Sequence, residues 1–236
     1  MKNILVTGAS KGIGSVIATV LNTEYNVFGV ARNKELLKQL HLSDYFVCDL
    51  TNDGNLTALR DFVSKNKIDI LINDAGEYFY EKIEDIKSDK LEHIFKLNAV
   101  VPISLAGMVI PNMKLQKWGR IVNIGSISGV MGEAFASAYS ATKASLIGFT
   151  RAAALELAQD NITVNTINPG WINTDLGENS IEQSDFSKEE IIESIPQKRF
   201  VEPDEVANLI KYLISDDAKG ITGQSINLCA GLSVGY

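Results

Sequence analysis

Tyr139 and Lys143 stand four residues apart in Tyr139-Ser140-Ala141-Thr142-Lys143, and Ser126 lies upstream in Ile124-Gly125-Ser126-Ile127-Ser128. On a helix, positions i and i+4 share a face, so the phenol and the ammonium lie side by side. A tyrosine ordinarily titrates at about 10, and a neighbouring positive charge favours its phenolate. Such a phenol can give a proton to a carbonyl oxygen or take one from an alcohol. On an ordinary surface helix the same spacing is a solvated pair, so its meaning depends on the elements that carry it.

Those elements alternate along the chain. Short runs at 4–7, 26–30, 45–48, 68–72, 119–124, 163–167 and 225–228 are apolar enough to be strands. Helical patterns near 12–22, 34–40, 54–65, 88–115, 137–159 and 203–215 fill the intervals. Strands that are apolar throughout, rather than alternating, imply burial on both faces, as in a parallel sheet wrapped by helices. Repeated strand-helix-strand units then predict one doubly wound α/β domain over 1–236 with a seven-stranded parallel sheet. Ligands of such sheets bind beyond the carboxyl ends of the strands.

Composition narrows the partners. The chain has 236 residues, 45% of them hydrophobic, with no Pro/Gly/Ser-rich linker or internal repeat. A net charge of -7 argues against nucleic acid or an anionic membrane. A strand entered by Asn3 leaves no room for a signal peptide. The longest apolar stretch, near 99–111, is interrupted by Pro102 and Ser104 and is expected to be too short for a bilayer. Cys48 and Cys229 are far apart and read as free core thiols of a reducing compartment, so a cytoplasmic protein is expected. With His41 and His93 isolated, neither a metal site nor a Ser-His-Asp triad is expected.

The residues just after each strand are where ligand chemistry should be sought. Gly8-Ala9-Ser10-Lys11-Gly12-Ile13-Gly14 follows the first strand. Its glycines allow a sharp turn and close approach to a phosphate, which the following helix N-terminus would favour. After the second strand comes Val30-Ala31-Arg32, with no acid to accept from a ribose 2′-hydroxyl. Arg32 and Lys11 together suit a 2′-phosphate, favouring NADP over NAD, unless both are solvated surface charges. Asp49, before Leu50, could accept from an adenine amino group or cap a helix in competition with Asn52. In Asn73-Asp74-Ala75-Gly76, Gly76 allows close passage to a flat ligand, while Asn73 could bind ribose or fix the turn. In Pro169-Gly170-Trp171-Ile172-Asn173-Thr174, backbone groups around Ile172 and the Thr174 hydroxyl could meet a carboxamide, or form a plain loop.

Taken together, these residues resemble the short-chain dehydrogenase/reductase family over essentially the whole chain. The motifs are Thr7-Gly8-x-x-x-Gly12-x-Gly14, Asn73-x-Ala75-Gly76, Asn98 in Lys96-Leu97-Asn98-Ala99, Ser126, Tyr139-x-x-x-Lys143 and Pro169-Gly170. Arg120-Ile121-Val122-Asn123-Ile124-Gly125-Ser126, Ile162-Thr163-Val164-Asn165 and Ile221-Thr222-Gly223-Gln224 look most like bacterial 3-oxoacyl-acyl-carrier-protein reductases of fatty acid biosynthesis. The resemblance implies a Rossmann-type domain with residues 176–200 as a substrate lid, a 24-odd-residue segment of amphipathic character. It implies that Tyr139 is the general acid, that Ser126 donates to the substrate oxygen, and that Lys143 lowers the Tyr139 pKa and binds ribose. Asn98 would hold a water in a proton relay. Cofactor contacts would come from Gly8, Ser10, Lys11, Gly12, Ile13, Gly14, Arg32, Asp49, Leu50, Asn73, Ala75, Gly76, Tyr139, Lys143, Pro169, Gly170, Ile172 and Thr174, with no metal.

The implied activity is reversible NADPH-dependent reduction of a ketone to a secondary alcohol, with a 3-oxoacyl thioester as first choice. The protein is expected to be a homotetramer or homodimer, built on the helices near 88–115 and 137–159. Two departures stand out: Asp74 replaces a second asparagine, and Asp160 stands where an arginine that docks an acidic carrier is often found. Lys117 near Arg120 remains one basic contact for an acyl carrier protein. Other alcohols, sugars or cyclic ketones are the alternative substrates. A catalytically inactive NADP-binding regulator is a further alternative, though such proteins commonly lose one of Asn98, Ser126, Tyr139 and Lys143. A sugar-nucleotide epimerase would need a larger C-terminal region than a chain ending at Tyr236 offers.

Overall fold

The first strand sets the pattern for the rest. In β1 (Asn3–Thr7), Ile4 and Val6 point to one face of the sheet and Leu5 to the other, and all three are fully buried. The computed structural model describes residues 1–183 and 186–234, so the parts of the predicted lid and domain at 184–185 and 235–236 lie outside the described residues. Glycine at the start of α1 (Gly12–Leu21) turns the chain back over the sheet into β2 (Asn26–Ala31). Then come α2 (Lys34–Gln39), β3 (Asp44–Val47), α3 (Asp53–Asn66) and β4 (Ile70–Asn73). Beyond β4, α4 (Ser88–Phe95), a π-helical turn (Lys96–Val100) and α5 (Val101–Gln116) run continuously into β5 (Gly119–Ile124). A short α6 (Ser128–Met131) precedes the long α7 (Ser137–Leu157) and β6 (Ile162–Pro169). The chain closes with α8 (Asp175–Gln183), α9 (Lys188–Ser194), α10 (Pro203–Leu213) and β7 (Ser225–Leu228).

All seven strands pair in parallel in the order β3-β2-β1-β4-β5-β6-β7. The order reverses between β1 and β4, which opens a crevice at the carboxyl edge. Because Cβ atoms alternate along a strand, Ile4, Val6, Ile70 and Ile72 pack beneath α1 and α10. Leu5, Leu71, Ile121 and Val164 pack beneath α3, α5 and the end of α7. The seven expected strands are present, shifted by at most two residues at their ends.

Three expectations change in detail. Residues 88–116 form one helical run that is, by length and composition, long and apolar enough to cross a membrane. Pro102 does not interrupt it, because it falls in the first turn of α5, where an N–H partner is not required. Half of its most apolar window is buried within the protein, which is how a core helix of a sheet protein satisfies the same test. The predicted amphipathic lid helix is two helices, since Ser187 and Glu190 form a capping box that starts α9 afresh. The 128–131 helix carries no periodic signal of its own length and was not expected from sequence.

Polar side chains at the sheet centre hold α7 in place. Asn73 Nδ2 donates to Asn123 Oδ1 at 2.9 Å, Asn123 Nδ2 donates to Thr150 Oγ1 at 3.1 Å, and Thr150 shares a proton with Thr166 Oγ1 at 2.7 Å. The chain links β4, β5, α7 and β6, and Thr150 and Thr166 are fully buried. Thr150→Val keeps the shape but strands two buried partners, so a loss of about 1–3 kcal/mol is expected. Urea unfolding should show a lower midpoint with an unchanged slope.

Candidate active site

Three backbone segments meet at the carboxyl edge of β1, β4 and β5. The glycine loop has Gly8 at φ 71 and Gly12 at φ 56, the left-handed region that favours glycine. At Gly14 a Cβ would lie 2.5 Å from the Gly8 carbonyl oxygen and 2.6 Å from Asp74 Oδ2. Lys11 caps α1 in extended conformation without a side-chain hydrogen bond, and no acid stands in the first turn. The Gly14 N–H is taken by the Asp74 carboxylate, and the other first-turn N–H groups and positive end of α1 fit an anion approaching over the loop, as a dinucleotide pyrophosphate would. Thr7 Oγ1 ties this loop to the next segment by accepting from the Asp74 and Ala75 N–H groups, both at 3.1 Å.

Lys143 is buried on α7 and donates from Nζ to the Ile124 carbonyl at 2.8 Å. Its Nζ lies 5.7 Å from the centre of the Tyr139 ring, so the predicted side-by-side pair is present. Ser126 follows β5, and a hydrogen bond from Ser126 favours the Tyr139 phenolate. Asn98 lies in the π turn, a local widening of the helix common at functional sites. Its Oδ1 accepts from Glu77 N–H at 2.9 Å, and its Nδ2 donates to Glu77 O at 2.8 Å and to Thr142 Oγ1 at 3.2 Å. Both amide protons of Asn98 are thereby used, and a relay water would have to be held by its oxygens. Gly76 leaves room for this group: a Cβ there would lie 3.2 Å from Asn98 Oδ1 and 3.4 Å from Lys143 Nζ.

The electrostatics differ from the sequence expectation. Burial pushes the Tyr139 phenol up to about 12, and the charges of Glu133 and Asp74 add to it against the Ser126 hydrogen bond. Lys143 was expected to lower the Tyr139 pKa, but loss of hydration outweighs every favourable contact. Burial also lowers Lys143 to about 8, with Asp74 acting to raise it. Asp74 is itself raised to about 7 by burial, against the pull of the Lys143 charge and the Gly14 N–H. The departure at Asp74 is therefore more than a packing change: it places a carboxylate between the glycine loop and the ammonium.

The other predicted cofactor residues divide by where their side chains go. Ser10 and Ile13 stay with the loop, and Ile13 borders the cavity described next. Arg32 is exposed after β2 and forms a loose 3.5 Å ion pair with Glu77, which His93 also meets at 3.0 Å. Asp49 accepts from the Thr51 N–H at 2.9 Å and hydroxyl at 2.7 Å, while Asn52 caps α3, so the capping competition falls to Asn52. Leu50 is buried in the core and Asn73 donates into the sheet interior, so both present only backbone toward a ligand. Ala75 packs against the same core. Gly170 N–H is spent on Leu228 O, Ile172 bridges Val201, and Thr174 Oγ1 accepts from Gly177 N–H at 3.2 Å, at the head of α8.

A cavity of about 640 Å³ adjoins Ser126, Tyr139 and Lys143. Pro169, Gly170, Ile172 and Thr174 border it, as do Leu176 and Ser180 of α8 and Ile191 and Ser194 of α9. The segment read as a lid thus supplies one wall. Sequence reasoning missed Tyr78 and Glu133, which face Tyr139 and Ser128 across this space. No motif marks either; the available signal was an acid in the loop between Ser126 and Tyr139. Lys117 and Asp160, weighed as carrier contacts, form an ion pair just before β5 and β6, at the amino edge of the sheet away from the cavity. Arg120 is fully buried, its guanidinium on Gly119 O, Asn161 O and Asp216. Cys48 and Cys229 are buried and free, and the described residues hold no His/Cys/Asp/Glu cluster fit for a metal.

Comparisons with known proteins agree with this geometry. A family profile described as enoyl-(acyl carrier protein) reductase matches residues 8–233. The chain is 36% identical over 241 residues to the 3-oxoacyl-[acyl-carrier-protein] reductase of Buchnera aphidicola subsp. Schizaphis graminum, spanning 98% of this chain and 97% of that one. It is 33% identical over 252 residues to the D-beta-hydroxybutyrate dehydrogenase of Rhizobium meliloti, with 98% of each covered. Among solved structures, an actinorhodin polyketide ketoreductase variant with NADPH superposes at TM-score 0.92 and 33% identity, covering 100% of this chain and 98% of that one.

Asp74→Asn removes the charge that supports the Lys143 ammonium. A group whose pKa burial has lowered loses its proton as pH rises through that value, so the Lys143 midpoint should fall below about 8. Side-chain NMR of labelled lysine reads this directly, and an unmoved midpoint would show that the carboxylate does not act on it.

Proposed function

The chain belongs to the short-chain dehydrogenase/reductase family, and we propose that it reduces a ketone to a secondary alcohol with NADPH, reversibly, with a 3-oxoacyl thioester as the substrate class. The observation that carries this reading is the convergence of Ser126, Tyr139, Lys143 and the Asn98 turn on one side of the apolar cavity. When bound, the nicotinamide supplies the hydride to the carbonyl carbon. Tyr139, still protonated through neutral pH, gives its proton to the carbonyl oxygen as negative charge develops there. Ser126, whose single hydroxyl proton rests on Ser128 Oγ at 3.1 Å, turns it to the same oxygen when substrate binds, and the two hydroxyls act as a small electrophilic clamp. Lys143, fixed by the Ile124 carbonyl, holds a positive charge beside the phenol and stabilises it as it ionises.

NADPH is supported by the missing acid after β2 and by the exposed cations Lys11 and Arg32, which follow β1 and β2. The exposed Arg32–Glu77 pair is worth only about 0–1 kcal/mol and is readily exchanged for a phosphate. The ketoreductase structure that contains NADPH supports the same choice. A cytoplasmic homodimer or homotetramer completes the reading. Exposed Val100 and Ile103 at the head of α5 and Leu155 on α7 support an apolar contact between copies there.

Tyr139→Phe tests the acid. Reduction of acetoacetyl thioesters and other ketones, followed as NADPH oxidation, should drop about 10²–10⁴-fold while NADPH binding measured by fluorescence is retained. Near wild-type turnover in this variant would remove Tyr139 from the mechanism, and NADPH binding without turnover of any ketone would favour the regulator reading. Reductive kcat/KM of the wild type should fall as pH rises past about 8, where Lys143 loses its charge. Arg32→Ala should raise the KM for NADPH about tenfold and leave that for NADH unchanged, as expected for a charge-assisted phosphate contact. A wild-type preference for NADH would overturn the cofactor choice.

A further inference from the structure

The cavity wall beside Ser126 carries a carboxylate that the chemistry above does not use. Glu133, in the loop between α6 and α7, accepts from the Tyr78 hydroxyl at 2.8 Å and from the Ser128 hydroxyl at 2.6 Å. Ser128 Oγ accepts in turn from Ser126 Oγ at 3.1 Å. The carboxylate is thus two hydrogen bonds from the hydroxyl that would hold the substrate oxygen. The Tyr78 ring meets Tyr139 edge-on, with centroids 5.0 Å apart. Two hydroxyl donors and this ring contact fix Glu133 as a built part of the wall.

Among the described residues, Lys82 shares a smaller neighbouring pocket with Glu133, but no cation lines the main cavity on that side. Glu190 of α9 adds another carboxylate to the lining, and Glu77 and Asp74 lie toward the glycine loop. Among the described residues that line the cavity, Lys143 is the one cation, and its ammonium is turned inward to the Ile124 carbonyl with Asp74 acting on it. The remaining wall is largely aromatic and aliphatic, with Tyr80, Phe135, Trp171 and Leu176.

Resting on the ketoreductase reading, we propose that this cavity takes uncharged ketones, such as 3-oxo esters and thioesters, and rejects free 3-oxo acids, with Glu133 as the residue that enforces the choice. A 3-oxo acid carries its carboxylate one methylene from the reacting carbonyl. With that carbonyl oxygen held by Ser126 and Tyr139, the acid group enters a partly dry space already occupied by like charge, where repulsion is stronger than in water. An ester removes the charge and adds only alkyl surface, which the apolar wall accepts. Discrimination by a built-in repulsive group is as effective as an added attraction. It would separate this chain from the Rhizobium relative, whose name gives an acid as its substrate.

Acetoacetate and methyl acetoacetate form the matched pair for the test, each offered with NADPH to the full chain. The ester should exceed the acid in kcat/KM by at least about a hundredfold in the wild type. Glu133→Gln keeps one amide oxygen as acceptor for Tyr78, requires the Ser128 hydroxyl to turn, and removes the charge, and should raise the acid relative to the ester by about tenfold. Because both substrates are measured on one enzyme, any general damage to Ser126 cancels in this ratio. Glu133→Ala should shift the ratio in the same direction. Equal reduction of acid and ester by the wild type, or a ratio unmoved in both variants, overturns the proposal and leaves the ketoreductase reading standing. If the wild type reduces neither these substrates nor any thioester or cyclic ketone, that reading falls and takes the proposal with it.

Discussion

A lysine ammonium buried at the edge of a parallel sheet constrains everything around it. Lys143 has given up its water, and loss of hydration pulls its pKa down to about 8 even with the Asp74 charge acting to raise it. The Ile124 carbonyl accepts its hydrogen bond because Ile124 lies one residue past the last β4–β5 pair, Asn73 with Asn123. At Gly76 a Cβ would sit tightly, 3.2 Å from Asn98 Oδ1 and 3.4 Å from Lys143 Nζ, so glycine suits the close passage of the turn after β4. Helix α7 has to lie flat on β5 and β6 to deliver the side chain, and the buried Asn123–Thr150–Thr166 contacts hold it there. One charged group thus ties together three elements distant in sequence.

The same burial decides the balance between the ammonium, the Asp74 carboxylate and the Tyr139 phenol. A carboxylate beside a lysine usually settles both into their charged forms, but here each is also penalised for leaving water, and both pKa values move toward neutrality. The phenol gains little from the ammonium and is opposed by two carboxylates, so it keeps its proton at neutral pH. For a group whose task is to give a proton to an oxygen, that is the useful state. The arrangement favours reduction near neutrality, and oxidation of an alcohol requires the phenolate that higher pH supplies.

The crevice has two chemically different halves. Toward α1 the backbone offers first-turn N–H groups beyond the one Asp74 takes, a helix dipole and the exposed Lys11 that precedes the helix, all suited to anions. Toward α8 and α9 it offers aromatic rings, aliphatic side chains and the hydrogen-bonded Glu133. A dinucleotide and an uncharged ketone would then meet where the halves join, at Ser126 and Tyr139. Relatives carry names with an acyl-carrier-protein substrate and a hydroxybutyrate substrate.

The sequence by itself determined the layered fold and the positions of Gly8, Gly12, Gly14, Ser126, Tyr139 and Lys143. Strand burial, glycine backbone demands and i, i+4 spacing are local properties, and each leaves a mark in the residues concerned. Asn98 was legible only through resemblance, because the π turn that aims its side chain comes from the register of two helices. Asn73 and Leu50 show the opposite limit: their places after the strands were right, but which way a side chain turns at a strand end depends on the core behind it. The ion pair of Lys117 with Asp160 came from adjacent strand ends that sequence separates by more than forty positions. The tertiary structure alone decided the charge states, because desolvation depends on what surrounds a group in three dimensions. It also decided that Glu133 joins Ser128 and Tyr78, since a hydrogen bond between loops is a matter of distance that no spacing along the chain encodes.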